Sequence, residues 1–174
     1  MPYNFTNREA YPPLLEQVTP MGIIISPAVR LLDVPNCTGK SIVPGEPIIL
    51  LGHIGISQEV VLPGEDFTLH VGAVVDFLLD PAQASNVFVD EVIYFDLALA
   101  ANGVYAPGYA RNGSAPTNGY KLGVAMPIYE GPMGPKPVVG TRRIAAKPGQ
   151  TRVRVAMDIG SGTSYGTVQD WNGA

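Results

Sequence analysis

The stretch VFVDEVIYFD, residues 87–96, sets three carboxylates, Asp90, Glu91 and Asp96, among large apolar residues. Paired carboxylates can run acid/base chemistry, and clustered ones can cradle a metal. In an extended strand, side chains alternate between faces. Val87, Val89, Glu91, Ile93 and Phe95 would share one face, and Phe88, Asp90, Val92, Tyr94 and Asp96 the other. Asp90 and Asp96 would then stand about 20 Å apart, too far for the carboxylate pair of a glycosidase. Asp90 and Glu91 point to opposite faces. The stretch predicts one strand with its acids at the two ends, and neither a catalytic nor a metal site.

Other residues capable of chemistry are scattered. His53 and His70 are the only histidines, with no H-x-H or H-x-x-x-H spacing, and Cys37 is the only cysteine. A metal site needs such ligands in clusters, so no metal or other cofactor is expected. His70 reads as a surface or barrel-lumen residue of a strand. Residues 160–166, GSGTSYG, resemble a phosphate loop only in their glycines, because the Lys-Ser/Thr pair is missing. No G-x-S-x-G marks a serine hydrolase. Three Asn-x-Ser/Thr sites, at Asn4, Asn36 and Asn112, match the glycosylation pattern by chance on this reading. A basic group, Arg142, Arg143, Lys147, Arg152 and Arg154, stands out instead. Arg152 and Arg154 would share a strand face and could meet an acidic partner, against the simpler reading of a solvated or salt-bridged surface.

The elements that would carry these residues are strands. Residues 47–62, PIILLGHIGISQEVVL, read as strand, kink at Gly52, strand. PGED at 63–66 is a turn, because Pro presets φ and Gly permits a positive one. FTLHVGAVVDFLL, 67–79, is a strand with a bulge or bend at Gly72. Residues 80–86 form a loop, and VFVDEVIYFDLAL continues as a single strand. Asn102-Gly103 is the strongest hairpin signal in the chain. Residues 108–120 read as a polar loop, KLGVAMPIYEG as a strand, GPMGPKP as a breaker, and TRVRVAM, 151–157, as the cleanest alternating strand. No long window has helical periodicity. The N-terminal residues hold Pro2, Pro12, Pro13, Pro20, Pro27 and Pro35, and only GIIIS at 22–26 resembles a strand.

The expected fold is therefore all-β. It is a small β-barrel or sandwich over 42–157, with an extended Pro-rich arm over 1–41 and a short flexible tail over 158–174. Removing 1–41 should leave a folded barrel. Arm residues Tyr3, Phe5, Tyr11, Leu14 and Leu15, with Arg142, Arg143, Arg152 and Arg154, are the candidate protein-interface residues.

Bulk composition agrees with a structural body. The 174 residues suffice for one domain with a core. Only 15% are charged, against about 25% in ordinary globular proteins. A surface so sparsely charged points to contact with other protein. Net charge is −4, which disfavours a general nucleic-acid binder. Residues 1–100 carry 3 Lys/Arg against 12 Asp/Glu, while 101–174 carry 8 against 3. A lone cysteine excludes an intrachain disulfide. The first residues lack the pattern of a signal peptide, and no apolar run reaches the ~18 residues that span a bilayer.

From Ile42 to Met157 the segments resemble, in order, those of the capsid cement or decoration proteins of tailed phages. SIVPGEPIILLGHIGIS is similar to that family's opening strands, and PGEDFTLHVGAVVDFLL to its next segment. VDEVIYFD, KLGVAM and TRVRVAM are similar to its later strands. The resemblance implies a non-enzymatic virion protein on the capsid exterior, made in the host cytoplasm. Its partners would be the major capsid protein and its own copies, as a homotrimer, with no nucleic acid and no membrane. Two other classes compete. One is a carbohydrate- or receptor-binding module using Tyr105, Tyr109 and Tyr120. The other is a small trimeric β-fold nucleotide hydrolase, for which no acid, base and phosphate-binding set is found.

Overall fold

The computed structural model describes residues 20–97, 108–127 and 138–166. Every regular element among them is a β-strand. The largest sheet runs in the order β1 (Gly22–Ser26), β6 (Val74–Leu78), β13 (Arg152–Met157), β10 (Gly119–Ala125), β8 (Val92–Asp96) and β9 (Tyr109–Arg111). β14 (Thr163–Tyr165) also pairs with β10. All these pairings are antiparallel. Just past β6, Leu79 makes a parallel bridge to Ala110, and the Asp80 N–H donates to the Ala110 carbonyl at 2.9 Å. The sheet thus returns on itself, and β6-β13-β10-β8-β9 form a small barrel. A ring of five strands cannot alternate throughout, which is why its closing join is parallel.

A four-stranded sheet, β2 (Arg30–Pro35), β5 (Asp66–Val71), β4 (His53–Ile56) and β3 (Ile48–Leu50), packs beside the barrel. Three short strands complete the set: β11 (Val138–Val139), β12 (Arg142–Ala146) and β7 (Val87–Phe88).

Alternation sorts side chains between two cores. Phe77, Ile93, Phe95, Leu122, Val153 and Val155 fill the barrel, joined by Ile49, Ile54 and Ile56 from the smaller sheet. Ile48, Leu50, Phe67, Leu69 and Val71 face the other way, into a second core with Val34, Ile42 and Val61. β3 is therefore buried on both faces, and its run of Ile and Leu shows no period of two. TRVRVAM behaves as expected: Val153, Val155 and Met157 are buried, while Arg152, Arg154 and Ala156 are not.

β3 and β4 meet at the tight turn Leu51-Gly52, where the expected kink falls. Both residues have positive φ, 52° and 78°, as a two-residue hairpin turn requires. Leucine resists that conformation by about 1 kcal/mol, and its side chain is exposed. Leu51→Asn is expected to raise stability by about 1 kcal/mol in urea denaturation. An unchanged or lower midpoint would mean that the exposed leucine makes a compensating contact.

Several expectations change. The arm does not extend to residue 41. β1 pairs with β6, β2 pairs with β5, and Met21 and Val34 lie in the cores. Their apolar residues are divided between two sheets, so neither short strand has a visible period. Nor does a tail begin at 158. The Asp158 N–H donates to the Leu122 carbonyl, and β14 adds to the barrel sheet. Finally, residues 87–96 are two strands in different sheets. A tight turn separates them, with Asp90 at φ 69° and the Glu91 N–H donating to the Phe88 carbonyl. Asp tolerates that conformation better than most residues, and this is what breaks the strand. The stretch 108–120 is only partly loop, since β9 and the start of β10 lie within it. The bend at Gly72 is present, between β5 and β6. The Asn102-Gly103 hairpin and GPMGPKP lie outside the described residues.

Candidate interaction surfaces

The three carboxylates of residues 87–96 are held apart. Asp90 is exposed on the turn. Asp96 is buried and accepts from Arg111 Nε at 2.8 Å. Glu91 is a structural hub. It accepts from the Phe88 N–H at 3.1 Å, Asn112 Nδ2 at 2.9 Å and Arg142 Nη2 at 3.1 Å. Burial opposes its charge, but these hydrogen bonds and the Arg142 cation together hold the carboxyl below its usual range. The folded form thus binds its proton less readily than the unfolded chain. The stability it adds is full above the unfolded pKa and is lost as pH falls through the folded pKa. Glu91→Gln is expected to flatten the acid side of a melting-temperature profile. A profile parallel to the parent's would remove Glu91 as a source of acid sensitivity.

The four expected arginines do not form one patch. Arg142 lies 3.9 Å from the centre of the Phe88 ring and bridges to Glu91. Arg143, next along β12, is half-buried, and its side chain has no partner among the described residues. Arg152 and Arg154 do stand together, opposite Leu78 and Asp76 of β6. Arg154 grips both oxygens of Asp76, from Nε at 2.8 Å and Nη2 at 3.1 Å. Its pKa is raised by that hydrogen bond, against the effect of burial. Arg152 donates to the Asp76 carbonyl at 2.9 Å and the Pro20 carbonyl at 2.8 Å. It ties Pro20, two residues before β1, to the barrel. These two line an open cleft of about 430 Å³ with Asp76 and the loop before β13. Tyr3, Phe5, Tyr11, Leu14 and Leu15 lie outside the described residues.

The aromatic and histidine expectations also resolve. Tyr120 is 6% exposed and belongs to the barrel core, so it cannot serve as a sugar platform. Tyr109 is half-buried, and Tyr105 lies outside the described residues. A pair not foreseen, Tyr94 and Tyr165, meets edge to face at 5.9 Å. No sequence signal joins them, since they lie on β8 and β14, which both flank β10. His70 is half-buried on β5, and burial lowers its pKa despite the opposing charge of Glu59. His53 Nδ1 is buried with no hydrogen-bond partner among the described residues. No group of three or more His, Cys, Asp or Glu is placed to hold a metal among the described residues. No helix among them is long and apolar enough to cross a membrane.

Asn36 was invisible as a structural residue. It is 2% exposed, and its Nδ2 donates to the carbonyls of Lys40, Val61 and Leu62. Its Oδ1 accepts from the Thr38 N–H and hydroxyl. A glycan on this nitrogen is incompatible with the fold. Asn112 likewise spends its Nδ2 on Glu91.

The most distinctive surface is apolar. Ile23 (43% exposed), Ile25 (45%), Val29 (59%) and Leu31 (61%) fall within nine consecutive residues. They lie on β1, β2 and the link between them. β1 is the end strand of the large sheet's order and β2 that of the smaller sheet. Val29 and Ile159, also exposed, flank Gly72 together, which extends the strip across the junction of the sheets. Folded monomers normally guard sheet edges with charge or proline, and leave few large apolar side chains side by side.

Together these features define an all-β body, with about half of the charged side chains among the described residues in ion pairs and an apolar rim on its outer strands. No family model matches the chain, and neither does any curated protein or solved structure.

Proposed function

We propose that this chain is a non-enzymatic structural virion protein, which binds the outside of an icosahedral phage head and stabilises contacts between capsomers. The observation that carries this reading is the apolar strip Ile23, Ile25, Val29 and Leu31 on two outer strands. Such a strip suits a body that spends its working life against other protein. The ordered resemblance of residues 42–157 to decoration proteins supplies the kind of partner, the major capsid protein. Self-association as a homotrimer belongs to the same proposal. On a symmetric lattice many copies act together, so each need bury only a modest area. The engagement of Asp96, Glu91, Asp76, Arg111 and Arg154 in internal ion pairs leaves few groups poised for acid/base work.

Co-sedimentation with mature heads stripped of this component tests the proposal. Saturable binding at a fixed ratio to the major capsid protein is expected, together with loss of binding in Ile25→Glu/Leu31→Glu. Failure of a folded protein to sediment with heads would overturn it. A second reading, a carbohydrate-binding module, draws on the half-buried Tyr94–Tyr165 pair. A glycan-array signal abolished by Tyr94→Ala would favour it.

A further inference from the structure

One face of the barrel holds more positive charge than the fold consumes. Arg152 and Arg154 alternate along β13, so both project to the outer side. Among the described residues Asp76 is the one carboxylate lining their cleft, and Arg154 engages both its oxygens. Among the described residues, the hydrogen bonds of Arg152 go to backbone carbonyls, of Asp76 and Pro20. Carbonyls orient a guanidinium without neutralising it. Burial lowers the pKa of Arg152, against the opposing pull of the nearby Asp76 charge. Each guanidinium carries five N–H donors in a fixed fork, so each keeps donors to spare. Thr151, which also lines the cleft, is exposed, and its hydroxyl has no partner among the described residues. The turn at Gly149 leaves its backbone uncovered, since nothing lies within 4 Å of where a Cβ would sit.

We propose that this cleft is an oxyanion site that takes a carboxylate side chain from an acidic protein segment. The N–H groups that Arg152 and Arg154 do not spend on Asp76 and Pro20 would donate to a carboxylate's two oxygens. Thr151 adds a hydroxyl donor at the rim. Two guanidiniums against one carboxylate leave a single positive charge. One further carboxylate balances it, whereas a phosphate dianion overcharges the site. The volume of about 430 Å³ and the open mouth admit a side chain presented on a peptide. The site adjoins the apolar strip, since Ile23 pairs with Asp76, but its chemistry does not depend on the head-binding reading.

The test is an NMR titration of the full chain with a blocked Gly-Glu-Gly-Glu-Gly peptide. Its Gln counterpart and inorganic phosphate are run beside it. Saturable amide shifts confined to 145–154 and the neighbourhood of Asp76 are expected with the Glu peptide, and none with the Gln peptide. Thr151→Glu sets a competing carboxylate at the mouth and leaves the core untouched. It should weaken binding about tenfold or more, the worth of one charge-assisted hydrogen bond. Absence of confined shifts, or equal binding in Thr151→Glu, would overturn the site. Phosphate binding as tight as the Glu peptide's would overturn the carboxylate assignment. No phage head enters the assay, so a failed sedimentation and a failed titration are read apart.

Discussion

Gly45→Ala is expected to cost more than about 4 kcal/mol, in the range reserved for severe steric or core defects. Gly45 has φ +76°, a conformation that a Cβ alone makes unfavourable by about 1–2 kcal/mol. The larger effect is crowding. A Cβ there would overlap the backbone N, O and Cα of Gly22, and backbone cannot swing aside as a side chain can. Gly22 cannot retreat, because it lies against the barrel core. A Cβ on Gly22 itself would come within 2.7 Å of Val75 and 2.9 Å of Phe77. Hydrogen bonds pin the crossing on both sides, from the Met21 N–H to the Pro44 carbonyl and from the Gly45 N–H to the Ser57 carbonyl. Buried Glu46 holds the same turn by accepting from the Val43 N–H and pairing with Lys40. Gly64→Ala is the control. Gly64 has φ +82°, with nothing within 4 Å of a Cβ, so it should lose only the conformational term. Urea denaturation of both variants separates crowding from backbone preference. Equal losses would show that β1 can move away from the turn.

The second large effect concerns truncation. Deleting residues 1–41 should abolish the cooperative fold, contrary to what composition and proline content imply. The cut removes β1 and β2, together with the buried Met21 and Val34 and the partly buried Ile24 and Leu32. Their burial is worth roughly 5 kcal/mol or more, comparable to the whole stability of many domains. It also bares the edges of β6 and β5 and frees Arg152 from Pro20. Deleting residues 1–19 alone removes none of these contacts and should leave a folded protein. Circular dichroism and thermal melts compare the two truncations. A cooperative melt from the shorter protein would show that the barrel folds without its outer strands.

Strand class and turn position were legible because they are local. TRVRVAM shows its alternation within seven residues. Leu51-Gly52 sits between two apolar runs, and Gly72 marks a bend where one exists. The acids of VFVDEVIYFD lie outside the strand interior, as expected, although the chain turns at Asp90 and does not run straight. Of the candidate interface, only the pairing of Arg152 with Arg154 was readable, since it follows from spacing along one strand.

Long-range pairing decided the rest. Nothing near Gly22 announces β6, and nothing near Arg30 announces β5. Both matches depend on which edges stay open once the barrel has closed. The separation of Arg142 from Arg152 follows from pairing, since β12 joins β7 and β11 while β13 joins β6 and β10. Asn36 showed only a chance glycosylation pattern, yet it is a buried clasp, because its hydrogen-bond partners at Val61 and Leu62 come from a distant loop. The sequence by itself determined an all-β chain, its main turns and its alternating faces, since these arise from the φ preferences and periodicity of neighbouring residues. Only the tertiary structure decided which strands are outermost, which charges are already paired and which apolar residues remain uncovered. Burial and charge neutralisation belong to residues brought together from across the chain.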